Sequence, residues 1–127
     1  MAEFVKSLIG FSDDSKELVM TSAAGASDYF TLDNADHRVT LIVKNANSTA
    51  GQDATVTLKA GNGILSTLGD EAFTVPMGKT YAIPLSRIDS ARIKNLSGTN
   101  KGKVMVSTTV AASGVVGSVS IGVISVA

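Results

Sequence analysis

From Asp28 onward, apolar and polar residues alternate in short runs, and turn-forming residues break each run after a few positions. In 37–45, Val39, Leu41 and Val43 fall on one face and Thr40, Ile42 and Lys44 on the other. In 54–60, Ala54, Val56, Leu58 and Ala60 alternate with Thr55, Thr57 and Lys59. A period of two is that of a half-buried strand in a largely antiparallel sheet. The same reading gives strands at 28–32, 71–75, 79–85, 90–96 and 103–110, and a last one around Val119, Ile121 and Val123. The alternation slips between Val123 and Ile124, which predicts a bulge or the end of the strand. Pro84 inside a strand pattern predicts an edge strand or a bulge, because proline removes a ladder donor. About eight strands without helical periods between them predict an all-β fold, an antiparallel β-sandwich that is Ig-like or jelly-roll-like.

Residues 1–27 follow a different pattern. Phe4, Leu8 and Phe11 are spaced four and three apart, and Val5 and Ile9 add another step of four, the spacing of a short helix. The runs at 12–17 and 21–27 read as flexible linker. The chain therefore divides into an N-terminal arm over 1–27 and a sandwich over 28–127. The arm either packs on its own domain or reaches a neighbouring subunit. In the second case Phe4, Leu8, Ile9 and Phe11 are the apolar groups that meet the partner. Joint replacement of Phe4, Leu8 and Phe11 by Ser is then expected to abolish binding with little change in melting temperature.

Composition narrows the function. A chain of 127 residues suits one ordinary domain. It has no Cys, which removes disulfide frameworks and thiolate metal sites. Eleven basic residues offset eleven acidic ones, which argues against an electrostatic grip on nucleic acid or anionic lipid. Charged residues are only 17% of the chain, a composition suited to a protein that works assembled. The stretch 104–127 carries no charge and is long enough for a membrane helix, but its interleaved Ser, Thr and Gly favour strands. The N-terminus lacks the charge and apolar pattern of a secretion signal. Aromatic residues at 5%, with no Trp, weigh against carbohydrate binding and base stacking.

The candidate chemistry fails on spacing. Gly78-Lys79-Thr80 ends like a phosphate-binding loop, but Phe73 stands where its first Gly is needed, and a strand pattern follows instead of a helix. It reads as a hairpin turn. Gly61-x-Gly63 lacks the third glycine of a dinucleotide loop and reads as a loop requiring positive φ. His37 is the only histidine, and no nucleophile elbow accompanies it. Asp33, Asn34 and Asp36 match no calcium-loop spacing, and Asp13-Asp14 reads as a solvated pair. The glycosylation patterns at Asn47 and Asn95 carry no weight without a secretion signal. No catalytic, cofactor or metal site is expected, and the chain reads as a non-enzyme.

The order of strands and turns carries a resemblance. The runs "YFTLDNADHRVTLIVKNANS", "ATVTLKAGNG", "FTVPMGKTYAIPL", "SARIKN" and "GKVMVS" resemble those of head decoration and other capsid-associated virion proteins of tailed bacteriophages. The resemblance covers about residues 28–110 and is one of strand and turn style. It implies a β-sandwich on the virion surface, made in the host cytoplasm, that binds assembled major capsid protein. It also implies a symmetric homo-oligomer, with a trimer among the expected forms. No nucleic acid, membrane or small-molecule partner is implied. Beyond the arm, loop tips at 45–52 and 61–69 are the next candidate contacts. A tail or fibre-attachment module, with host-surface binding, is the alternative, and a cellular adhesion or polysaccharide-binding domain is the third reading.

Overall fold

The computed structural model describes residues 2–10, 15–32, 38–85 and 90–126. The protein is all-β, with strands β1 (Lys6–Ile9), β2 (Thr21–Ser22), β3 (Asp28–Thr31), β4 (Val39–Asn45), β5 (Ala54–Leu58), β6 (Glu71–Val75), β7 (Thr80–Pro84), β8 (Lys103–Val110) and β9 (Val119–Val126). One sheet has the order β3-β8-β5-β6; the other runs β1-β9-β4-β7, with β2 also on β9. Every pairing is antiparallel except β1 with β9. The pairs β2:β9, β3:β8, β4:β7 and β5:β6 are nested, like one long hairpin rolled up so that its halves contribute to both sheets. This is the strand order of a jelly roll, one of the two sandwich topologies the alternation left open.

The inward faces are the ones the alternation assigned. Val39, Leu41 and Val43 of β4, with Val119, Ile121 and Val123 of β9, pack against Val56 and Leu58 of β5 and Val104 and Val106 of β8. Each large aliphatic side chain so buried contributes about 1.5–3 kcal/mol. Pro84 ends β7, the edge strand of its sheet, as its missing N–H requires. The described part of the uncharged stretch, 104–126, carries β8 and β9 rather than a membrane helix.

Several expectations are corrected. Residues 6–9 form a strand, not a helix: Lys6 to Ile9 run parallel to Val123 through Val126. Ahead of them, the Phe4 N–H donates to the Tyr29 carbonyl at 2.9 Å, and the Tyr29 N–H donates to the Ala2 carbonyl at 3.0 Å. The segment thus crosses from the edge of one sheet to the edge of the other. Helical spacing gave way because β3 and β9 offered unpaired backbone, which satisfies these groups better than a short isolated helix would. Of the two runs read as linker, the one at 21–27 also joins the fold. Thr21 and Ser22 pair with Ile121 and Ser120, and the side chains of Leu18 and Met20 lie over Gly122, where a Cβ would stand 2.9 and 2.6 Å from them.

Ser90–Ile93 is a short helical turn, α1, instead of a strand; Ile93 is buried and Lys94 makes one isolated bridge to Val104. β9 continues past the expected slip to Val126 without a bulge, and Ser125 takes the inward position. The turn Pro76-Met77-Gly78-Lys79 is no hairpin, since β6 and β7 belong to different sheets. It carries the chain across the sandwich, with Gly78 at φ 72 and the Lys79 N–H donating to the Pro76 carbonyl. Gly61 is required for closeness rather than for positive φ: a Cβ there would sit 2.3 Å from the Lys94 carbonyl oxygen.

Two stability predictions follow from the packing. Phe4 is 1% exposed within the shared core, so Phe4→Ala is expected to lower unfolding free energy by about 3–5 kcal/mol, read by denaturant titration. This reverses the expectation that a polar residue at position 4 would leave melting unchanged. Thr108 is buried and its Oγ1 has no hydrogen-bond partner. Thr108→Val removes that unsatisfied group at similar volume and is expected to stabilise by about 1 kcal/mol in the same titration.

Candidate functional site

The two ends of the sandwich differ in how their loops are held. At the end where β4 finishes, the loop over 45–52 is fastened by buried amides. Asn45 Nδ2 donates to the Gln52 and Val75 carbonyls at 2.9 and 3.1 Å, and its Oδ1 accepts from the Asn47 N–H and Nδ2. Asn47 in turn donates Nδ2 to the Val115 carbonyl and accepts the Val115 N–H on Oδ1 at 2.9 Å. The Asn45 carbonyl accepts from Gly78, and its N–H donates to the Lys79 carbonyl. The candidate tip at 45–52 is therefore anchored by a clasp joining three connections, although Ser48 to Gly51 stay exposed. Asn47 has both ends of its amide engaged and is buried, so the glycosylation pattern there has no free amide.

Nearby, the buried Asp28 carboxylate accepts from the N–H groups of Ala2, Ala24 and Gly25 at 2.9, 2.9 and 3.1 Å. It ties the N-terminal segment to the turn between β2 and β3. Buried carboxylates need such donors to offset lost hydration.

At the opposite end, the long β5–β6 connection and the β7–β8 connection are cross-linked by polar side chains. Arg92 Nε donates to the Gly69 carbonyl at 2.9 Å, and Nη2 donates to the Asp70 and Leu68 carbonyls at 2.9 and 3.3 Å. Its Nη1 pairs with Glu71 Oε2 at 2.9 Å. One guanidinium thus satisfies the carbonyls at the end of the 3-10 turn Ser66–Leu68, which lacks the donors to do so itself. Asn62 accepts the Leu96 N–H on Oδ1 at 2.7 Å and donates to the Ser97 carbonyl at 3.0 Å. The Gly61 N–H donates to the Arg92 carbonyl at 2.9 Å.

These two fastened loops present apolar side chains to solvent. Ile64 is 87% exposed, Leu68 62% and Leu96 51%. Single exposed apolar groups are ordinary, and three on one cross-linked loop pair make this pair the candidate interaction surface. The candidate tip at 61–69 is part of this surface, whereas Leu96 and the clamp Arg92 were not singled out from sequence. Arg92 is four residues from Leu96 and far in sequence from the loop it holds, so no local pattern announces it.

The arm candidates are separated by the fold. Phe4 is in the core, Leu8 is 44% exposed beside Ser125, Ile9 is half-buried, and Phe11 lies outside the described residues. His37, Asp33, Asn34, Asp36, Asp13 and Asp14 also lie outside them. Among the described residues no group of His, Cys, Asp or Glu side chains could hold a metal ion. Thr80 opens a strand, so Gly78-Lys79-Thr80 does not cap a helix.

No protein-family model, curated protein or solved structure matches this chain.

Asp70 gives the loop pair a pH signature. The Ala60 N–H, donating to Oδ1 at 2.7 Å, holds its carboxyl below the ordinary 3.8; slight burial opposes this, and Lys59 and Arg92 add to the lowering. A carboxylate lowered on folding contributes its full stability above the unfolded value, and that contribution is lost as pH falls through the folded value. The Lys59 contact itself is exposed at 3.5 Å and adds little. Asp70→Asn is therefore expected to flatten the loss of stability below about pH 4, measured by melting at stepped pH.

Proposed function

We propose that this protein is a structural virion component that binds assembled major capsid protein and decorates or stabilises a phage head. The observation that carries the binding role is the pair of cross-linked loops holding Ile64, Leu68 and Leu96 out to solvent. Side chains exposed on pre-fastened loops lose little further conformational freedom when a partner covers them. The virion role is supported by the jelly-roll strand order, which viral capsid domains share, and by the strand and turn style of the sequence. That support is fold-level analogy, and the loops supply the site.

In this reading the protein acts by mass action. A subunit that binds only the assembled shell stabilises that state in proportion to occupancy. Contacts repeated over a lattice act together even when each is weak. Low surface charge suits such a coat, because fewer charges must be desolvated at each contact.

Two measurements test it. Quantitative mass spectrometry of purified particles is expected to give copy numbers comparable to the major capsid protein. A handful of copies would favour a tail or fibre-attachment role, and absence would refute a virion role. Ile64→Asp combined with Leu68→Asp is expected to weaken co-sedimentation with capsid shells by about a hundredfold, a loss of about 2.8 kcal/mol. Because both side chains are exposed, the melting temperature is expected to stay within a few degrees of the parent's. Unchanged co-sedimentation would remove this surface from the interface.

A further inference from the structure

The two sides of the sandwich are finished differently. On one side the chain covers its own sheet edges, with residues 2–4 on β3 and residues 6–9 on β9. On the other, β6 and β7 each pair along one edge only among the described residues. Their free edges flank a groove of about 570 Å³ lined by Phe73, Thr74, Tyr81, Ala82 and Ile83 among others. A free strand edge is a row of unpaired N–H and C=O groups and a template for another strand.

The two free edges are not equally guarded. β7 ends in Pro84, which has no N–H, and follows directly on Lys79. Proline and lysine are the residues that discourage pairing at an edge. β6 has neither. Its sequence is Glu71-Ala72-Phe73-Thr74-Val75, and its one charge, Glu71, is held by Arg92 at 2.9 Å. The side chains on its solvent face, Ala72 and Thr74, are small and uncharged.

We propose that β6 is a self-pairing edge, and that two copies of this chain join β6 to β6, antiparallel, about a two-fold axis at Phe73. The second copy is the fitting occupant because β6 is complementary to itself in this register. Ala72 faces Thr74 of the second copy, Thr74 faces its Ala72, and Glu71 faces Val75, so the two carboxylates never meet. The same operation on β7, centred on Ala82, would set Pro84 against Thr80 and lose a ladder donor. Pairing through β6 continues the β3-β8-β5-β6 sheet into the second copy. The contact is isologous and therefore closes at two.

Sedimentation velocity on the full chain tests this over a wide concentration range. The parent protein is expected to dimerise. Ala72→Lys with Thr74→Lys sets like charges opposite one another across the axis, and dimerisation is expected to weaken by about a hundredfold. Ala72→Glu with Thr74→Glu is expected to do the same. Mixing the two variants in equal amounts is expected to restore a dimer, because opposite charges then face each other. Both positions are solvent-facing, so each variant keeps the parent's melting behaviour as a monomer. Thr80→Lys with Ala82→Lys on β7 adds the same charge across the groove and is expected to leave the dimer intact. A parent that is monomeric throughout, a trimer, a dimer indifferent to the β6 charges, or a mixture that fails to recover overturns the proposal.

Discussion

The sandwich depends on β9. It lies between β4 on one edge and both β1 and β2 on the other, so it holds together three segments from distant parts of the chain. With β4 it forms an unbroken ladder from Val39 opposite Ser125 to Asn45 opposite Val119. It also pairs Ile121 with Thr21, so the outermost pair of the rolled hairpin joins segments far apart in sequence. Pairing of this kind spends loop-closure entropy before it gains contacts, which makes it slow and dependent on a strong final ladder. An uncharged strand of Val, Ile, Ser and Gly meets that demand. Its inward face buries Val119, Ile121 and Val123, and Gly122 on the other face leaves room for Leu18 and Met20 to cross.

The N-terminal segment follows from the same constraint. A central strand whose outer edge was left bare would present unpaired backbone to solvent or to other chains. Residues 6–9 and 21–22 divide that edge between them, one parallel and one antiparallel. Phe4 then enters the core, and the Asp28 carboxylate binds the Ala2 N–H to the turn at Ala24 and Gly25. The segment behaves as part of the domain because three independent interactions hold it: backbone pairing, apolar burial and a buried charge with its donors.

This explains what could be read from sequence. Strand faces in β4, β5 and β9 were legible because alternation is local, and a buried face repeats every second residue. Pro84 located an edge for an equally local reason. The arm misled because Phe4, Val5, Leu8 and Ile9 carry a helical spacing while their partners, Tyr29 and Val123 through Val126, lie elsewhere in the chain. The turn at Gly78 was recognisable as a turn, but whether its flanking strands share a sheet is a matter of topology. At the candidate surface, the Gly-rich run 61–69 was visible as a loop. Arg92 was not, because its role comes from carbonyls more than twenty residues away. Asn45 and Asn47 read as part of a loop tip at 45–52 and proved to be buried clasps, since burial of an amide is decided by distant carbonyls.

The rolled hairpin also divides its two ends between two tasks. One end is fastened by Asn45, Asn47 and Asp28, whose hydrogen bonds are buried and leave little freedom in the connections they join. The other carries the long connections, and these are fastened by polar groups at their bases while their apolar tips stay in water. Exposed Ile and Leu gain free energy only when covered, and a loop already held by Arg92 and Asn62 spends less of that gain on becoming ordered. Under the proposed function a partner surface would cover Ile64, Leu68 and Leu96, and the stiffness of these loops then counts as much as the side chains they present.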